Sequence, residues 1–344
     1  METKTLRFGI IGCGRIAPRH AQAIGDIAAD YNIELHAACD IIESRVEHYT
    51  KTYGGRAYTD YHELLADPEI DVVTVCVPSG LHPQIGIDAA RAGKHVLVEK
   101  PIALTLEDAD ALIHTCAEVG VTLGVVLQNR FNPPMRELRA LVDSGKLGRL
   151  LLGSATVRWY RPQEYYEDGW HGTLSMDGGA LMNQSIHHID ALQWLLGDVE
   201  SVFAYTATLA HKMEAEDVGV AVLRFRSGAV ATIEGSTLTY PENLEGSVAI
   251  FGEFGSVKVG GTALNRKAFW KVQGELEHER EMLTREALDP PTVYGFSHRE
   301  QIIEMINAIR EGRQPTTHGN EARRSLELVL AIYQSAREKR EVFL

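Results

Sequence analysis

Four cysteines in 344 residues are too few, and too badly spaced, for a covalent framework. Cys13, Cys39, Cys76 and Cys116 all precede the middle of the chain and form no C-x-x-C pair. That pattern excludes a disulfide scaffold or a zinc ribbon and reads as reduced, mostly buried thiols. Positive charge is also short. Lys and Arg number 34 against 47 Asp and Glu, a net charge of −13. Both parts are acidic, with 10 basic against 18 acidic residues up to Val125 and 24 against 29 after it. No basic domain or tail exists to grip a polyanion, so nucleic acid is not an expected partner. No apolar run approaches the ~20 residues that span a bilayer. The opening METKTLRFGIIG lacks a basic segment followed by a long apolar one. No membrane partner and no signal peptide are expected, and the location is expected to be cytoplasmic.

What is present is an ordinary globular composition, 44% hydrophobic and 24% charged. The length predicts roughly two domains. Leu6–Ile11, Ile33–Cys39, Asp71–Val77, His95–Val98 and Val121–Leu127 read as short strands. Between them, Arg15–Ile27, a segment from about Ser44, Leu81–Ala92 and Leu106–Val119 read as helices. This alternation predicts βαβ units and a doubly wound parallel sheet. After about Gly145 the texture changes. Val218–Phe225 and Ala229–Glu234 flank a hairpin-like Arg226-Ser227-Gly228, and Ser247–Phe251 and Ser256–Val259 flank GEFG. Strands without intervening helices should pair antiparallel. Arg266–Asp289 reads as mixed strand and loop, and Arg299–Arg310 and Glu321–Lys339 as closing helices. The expected architecture is an α/β domain over 1–127, then an α+β domain over 128–344 with a large open, mainly antiparallel sheet. The last helices are candidates to pack back on the first domain.

Chemistry enters at the first strand end. Gly12-Cys13-Gly14-Arg15-Ile16-Ala17 is G-x-G-x-x-A between a strand and a helix. Gly12 permits the tight turn, Gly14 lets backbone approach a pyrophosphate, and Ala17 allows close helix packing. The helix N-terminus offers N–H groups to the phosphates. Asp40 ends the second strand, where a carboxylate accepts from ribose hydroxyls and repels a 2′-phosphate. This favours NAD over NADP. Val77-Pro78-Ser79-Gly80-Leu81-His82 and Glu99-Lys100-Pro101 follow the next strands, at the edge where such sheets bind ligands. A lysine there suits proton transfer or alkoxide stabilisation once partly desolvated. A solvated loop lysine is the plainer alternative.

A helix is expected over Leu181–Leu196, with Ile186, Ile189, Leu192 and Leu195–Leu196 on its apolar face. Asn183, His187 and Asp190 share another face at i, i+4 and i+7. A histidine titrates near neutral pH, so one at position 187 is a candidate to accept a hydroxyl proton. Upstream, Arg158–Tyr166 and Gly169–Thr173 are dense in arginine and aromatics, which clamp anions and stack on sugars or bases. Packing of an edge strand and loop explains them equally. A metal hydrolase using His187, His188 and Asp190 is a weaker reading, because adjacent histidines cannot share a helical face and no H-E-x-x-H is present.

Taken in order, Gly12–Ala17, Pro78–His82, Glu99–Pro101, Gln128–Pro133 and Gly178–Asp190 resemble the Gfo/Idh/MocA oxidoreductases from about Phe8 onward. The resemblance implies a Rossmann domain and an open-faced second domain, which often packs through its sheet into dimers or tetramers. It implies oxidation of a sugar or cyclitol hydroxyl with a nicotinamide cofactor. Lys100 and His187 match the two residues that work beside the nicotinamide in that family. Cofactor contacts are expected from Gly12, Cys13, Gly14, Arg15, Ile16, Asp40, Pro78, Ser79, His82, Glu99, Lys100 and Gln128. Substrate contacts are expected from Lys100, Arg130, Tyr160, Arg161, Trp170, Asn183 and His187. No metal is expected. Many members carry Asp where this chain has Asn183, which puts an Asp–His dyad in doubt. Ile16–His20 and the aromatic segment with ALMNQSIH are similar to the branch of UDP-N-acetylglucosamine or UDP-N-acetylglucosaminuronate 3-dehydrogenases, although His171 stands where that branch often has Arg. The same motifs occur in members acting on free sugars or inositols. A non-catalytic NAD-linked sensor or corepressor is the alternative of another class.

Overall fold

The computed structural model describes residues 4–261, 263–274, 295 and 297–344. It divides into two compact units. The first comprises residues 1–127 and 298–323, the second 128–297 and 324–344.

The first unit is built on a six-stranded sheet in which every pair is parallel. Its strands are β1 (Leu6–Ile11), β2 (Ile33–Cys39), β3 (Arg56–Tyr58), β4 (Val72–Val75), β5 (His95–Val98) and β6 (Leu123–Val125), in the order β3-β2-β1-β4-β5-β6. Parallel neighbours need long crossovers, and helices supply them. These are α1 (Ala17–Tyr31), α2 (Glu43–Tyr53), α3 (Tyr61–Ala66), α4 (His82–Arg91) and α5 (Leu106–Val119). Phe8 and Ile10 of β1 are buried with Ala17, Ala21, Ile24 and Ile27 of α1. The late helix α8 (His298–Glu311) adds Ile302, Met305 and Ile306 to this core. Gln301 of α8 accepts the Leu127 N–H at 3.1 Å and donates to Thr317 at 2.8 Å. The three-residue β3 and six-residue α3 escape a reading by periodicity. β3 is mostly exposed after Gly54-Gly55, and α3 is too short to show a repeat. α3 is nevertheless capped, the Asp60 side chain accepting the His62 N–H at 2.8 Å.

The second unit carries an eight-stranded sheet. Its strands are β7 (Leu150–Arg158), β8 (Val199–Ala207), β9 (Val218–Phe225), β10 (Val230–Ser236), β11 (Glu245–Gly252), β12 (Gly255–Gly260), β13 (Arg266–Val272) and β14 (Val342–Phe343). The order is β13-β12-β11-β7-β10-β9-β8-β14. All neighbours are antiparallel except β7 and β10, which run parallel from Leu152↔Val230 to Arg158↔Ser236. This pair makes the sheet mixed. Of the stretch Arg266–Asp289, residues 266–272 form β13, and residues 275–289 lie outside those described. Two further helices, α6 (Pro133–Asp143) and α7 (Ile186–Leu196), precede β7 and β8. The closing helix α9 (Gly319–Glu338) begins in the first unit and ends in the second. Glycines let α7 and the turn before it approach the sheet. A Cβ on Gly153 would lie 2.6 Å from Leu196, and one on Gly219 2.5 Å from Leu181. The opposite face is open, with Leu152, Val220, Val222, Val230 and Tyr205 exposed. Period-two alternation along β9 and β10 sorts buried from exposed residues.

The single helix expected over Leu181–Leu196 is two pieces. Ala180–Ser185 is a π-helical turn, and α7 follows it. The wider turn seats Leu181 and Ser185 over Gly219 and Gly235. Asn183 lies in the π turn and therefore does not keep the α-helical spacing to His187 and Asp190 that the sequence predicted. Asn183 and His187 are half-buried, whereas Asp190 is turned inward at 1% exposure.

Candidate active site

In the first unit, β1 delivers the glycine loop. Gly12 has φ +94°, and a Cβ there would lie 2.4 Å from the Cys76 carbonyl oxygen, so only glycine fits. Around Gly14 a Cβ would meet nothing within 4 Å, which leaves room against its backbone. The α1 N-terminus has no side-chain cap and no acidic residue in its first turn, and Pro18 stands where an N–H is not needed. An uncapped helix end beside open backbone suits a pyrophosphate, so these residues fit a dinucleotide. Asp40 is buried and braces the loop. Its Oδ2 accepts the Cys13 N–H at 2.8 Å and its Oδ1 the Ile42 N–H at 2.9 Å. Each oxygen keeps a lone pair for a ribose hydroxyl. Burial and the nearby Asp40 push the Cys13 thiol up to about 12, so it stays protonated.

Pro78 leads into a 3₁₀ turn, Ser79–Leu81, and Ser79 is buried. His82 is buried too. Its Nδ1 lies 2.7 Å from the Pro101 carbonyl oxygen and its Nε2 2.9 Å from that of Val77, so the ring sits between the two strand-end loops and the neutral form donates to one of these carbonyls. Burial lowers its pKa. Lys100 is half-buried, and its backbone N–H donates to Glu99 Oε2 at 3.2 Å. Arg15 is exposed and Ile16 half-buried.

In the second unit, Gln128, Arg130 and Phe131 lie in a buried 3₁₀ turn. The Arg130 guanidinium is committed to the Asp190 carboxylate by two hydrogen bonds of 2.7 Å. Ser325 donates to the same carboxylate at 2.5 Å. Asp190 thus serves Arg130. The Asn183 side-chain amide donates to Asp177, whose second oxygen accepts the Gly172 N–H at 2.7 Å. Asp177 is 2% exposed. Because the Asn183 NH₂ is taken by Asp177, its other end is a carbonyl acceptor.

Arg161 gathers the aromatic segment. Its guanidinium donates to Gln184 at 2.7 Å and lies 5.2 Å from the Trp159 ring and 5.6 Å from the Tyr165 ring. Gln184 in turn donates to Tyr165 Oη at 3.0 Å. The Tyr160 ring meets Tyr240 edge-on at 5.7 Å. Trp170 packs on His171, whose Nδ1 lies 2.6 Å from Asp168. Arg158 lies on the open face between Glu234 and Glu245, at 2.6 and 3.0 Å, so two carboxylates already neutralise it. His188 is buried, neither ring nitrogen has a hydrogen-bond partner among the described residues, and burial lowers it to about 4.

Two residues absent from the sequence reading matter here. Asp177 precedes the glycine pair Gly178-Gly179, and an acid before a tight glycine turn was its only local signal. Glu216 accepts the Leu181 N–H at 2.8 Å and the Tyr333 hydroxyl at 2.9 Å, so it caps the π-turn. A Cβ on Gly179 would lie 1.8 Å from Glu216 Oε2.

A parallel sheet with a glycine loop at its first crossover, joined to an open-sheet unit, defines a dinucleotide-dependent oxidoreductase. The model described as an oxidoreductase family with an NAD-binding Rossmann fold matches residues 6–127, and the GFO/IDH/MocA C-terminal domain matches residues 135–258. The chain is similar to the WlbA dehydrogenase from Bordetella pertussis, solved with NADH and UDP-GlcNAcA. It is 42% identical over 100% of this chain and 99% of that one, at a TM-score of 0.93. The Chromobacterium violaceum WlbA structure, with the same ligands, is 39% identical over 100% and 97%, at 0.91. Myo-inositol 2-dehydrogenase from Thermotoga maritima is 29% identical over 98% of each chain. The chain belongs to the Gfo/Idh/MocA oxidoreductase family, and its cofactor is NAD. Among the described residues no helix is long and apolar enough to cross a membrane.

Proposed function

We propose that this protein oxidises a ring secondary hydroxyl of a sugar to the ketone, at C3 of a UDP-N-acetylglucosamine or UDP-N-acetylglucosaminuronate substrate. The observation that carries this reading is the 42% identity, across the whole chain, to a dehydrogenase solved with NADH and UDP-GlcNAcA. The linked Trp159, Arg161, Tyr165 and Gln184 cluster supports it, since it sets a guanidinium among aromatic rings. When bound, NAD⁺ supplies the hydride acceptor.

The chain's own residues handle the rest. His187 takes the hydroxyl proton as the C–H bond breaks. Lys100 donates a hydrogen bond to the same oxygen and stabilises its developing negative charge. Asn183, its amide turned by Asp177, accepts from a neighbouring substrate hydroxyl. The glycine loop and Asp40 hold the cofactor from its far end. The open face of the second sheet is assigned to a second copy of this chain, because Leu152, Val220, Val222, Val230 and Tyr205 expose apolar surface on it. A dimer or tetramer in sedimentation analysis is the expected result.

Identifying the nucleotide carried by the purified protein and following NAD⁺ reduction with UDP-N-acetylhexosamines, their uronates, free sugars and inositols tests the reading. K100A and H187A are each expected to lose at least about 100-fold in turnover while NADH still binds. Near-wild-type turnover in both would falsify the assignment. The inositol dehydrogenase likeness favours a second reading, a free cyclitol as substrate. Turnover of inositol with none of any nucleotide sugar would establish that instead. A stable NADH complex inert to the whole panel would indicate a sensor.

A further inference from the structure

Three buried side chains in the first unit have no part in the reaction as described. They are His20 on α1, Glu99 after β5 and His298 at the start of α8, exposed by 0%, 7% and 4%. Glu99 Oε1 lies 2.8 Å from His20 Nε2, and its Oε2 accepts the Lys100 backbone N–H at 3.2 Å. The His298 ring meets the His20 ring edge-on at 5.2 Å. One nitrogen or oxygen from each of the three lies within 4.8 Å of the others. His20 Nδ1 and His298 Nε2 have no hydrogen-bond partner among the described residues.

This arrangement is costly for packing alone. A buried carboxylate is destabilising unless donors and charges compensate it, and an apolar side chain would fill the space at less cost. Burial alone would favour the protonated acid. The His20 hydrogen bond, with Lys100 adding positive potential, instead holds Glu99 down at about 2, ionised. Burial, with His20 and Arg19 close by, pushes His298 down to about 3, neutral. The charged or titratable groups facing Glu99 are His20 of α1, Cys76 after β4, His82 of α4, His298 of α8 and Lys100 itself, and Arg19 of α1 faces His298. A fixed negative charge therefore stands one residue before Lys100. It is held by a histidine on the helix whose first turn is shaped for the pyrophosphate.

We propose that Glu99 and His20 are positioning residues for Lys100. His20 turns and keeps ionised the Glu99 carboxylate, which fixes the Lys100 backbone and holds its side chain as the ammonium. This rests on the reading of Lys100 as the donor to the substrate oxygen. The negative charge matters because a lysine that loses its proton early cannot donate to a developing alkoxide.

The test compares pH profiles of kcat/KM with a direct titration of Lys100. The lysine signals come from NMR of protein labelled at the lysine ε-carbon, with Lys100 identified by its absence in K100M. In E99Q, Lys100 should lose its proton about one pH unit lower, a tenfold change, and the alkaline limb of the profile should move with it. H20A should shift both readouts the same way, and H20Q, which keeps an N–H donor, should restore them. NADH affinity, read by fluorescence titration, should change less than about threefold. H20A and H20Q carry the test if E99Q does not fold. An unmoved Lys100 titration in H20A, or stoichiometric zinc in the purified protein, overturns the proposal. Wild-type turnover in K100M would defeat the reading of Lys100 itself, which is a separate outcome.

Discussion

Replacing Arg130 by methionine separates a structural from a substrate-binding role for this residue. The guanidinium makes two hydrogen bonds of 2.7 Å to Asp190, with side chains 7% and 2% exposed, and lies 5.2 Å from the Trp194 ring. Methionine fills much of the space but removes both donors, and Asp190 keeps only the Ser325 hydroxyl among the contacts described here. Stranding one member of a buried ion pair costs about 3–5 kcal/mol. For a domain of 150–250 residues each kcal/mol moves Tm by about 2–4 °C, so R130M should melt about 6–20 °C lower. Two units need not unfold together, so the probe must be local. Trp159, Trp170, Trp194 and Trp270 are the four tryptophans and all belong to the second unit, so intrinsic fluorescence reports on it alone. Added salt should change the loss little, because buried pairs are weakly screened. R130M/D190N, which removes the stranded charge, should recover much of the loss. A Tm within about 1 °C of wild type, together with a raised KM, would show that the guanidinium serves the substrate and would refute this reasoning.

Gly12→Ala adds a Cβ 2.4 Å from a backbone oxygen at φ +94°. NADH binding in a fluorescence titration should be lost even where circular dichroism shows a folded sheet. Burial raises Glu216 to about 7, so the native state holds this proton more tightly than the unfolded chain does. Between about pH 4.5 and 7 that contribution to stability falls as pH rises, by about 3 kcal/mol in total. The wild-type minus E216Q difference in urea melts should show that slope, and a flat difference would contradict it. His188 and His298 act in the opposite sense, losing stability as pH falls below about 6.5, and they cancel in the difference because both proteins carry them. Asn183→Asp sets a second carboxylate against Asp177 and should cost about 1–3 kcal/mol at neutral pH. D177N/N183D should regain most of it, and additive losses in the double variant would deny the pairing.

Local chemistry made much of this protein readable as a sequence. Gly12, Gly14 and Ala17 are dictated by the backbone they permit, and Asp40 by its place at a strand end. The alternation along β9 and β10 follows from the two faces of a strand. The short β3 and the capped α3 gave weaker patterns, since a three-residue strand or a six-residue helix holds too few repeats to register. Periodicity tells which face a residue takes, never which side chain it meets there. Arg130 reaches Asp190 across 60 residues, and His20 and Glu99 meet across 79, because topology brings those elements together. His298 joins the latter pair only because α8 packs on α1. The π-turn over Ala180–Ser185 likewise depends on two glycines in other strands and on Glu216. Residue type and spacing were enough for the cofactor loop, the alternating elements and the candidate residues. Their electrostatic partners were decided only by tertiary structure, because such pairings depend on which distant segments share a buried, low-dielectric space.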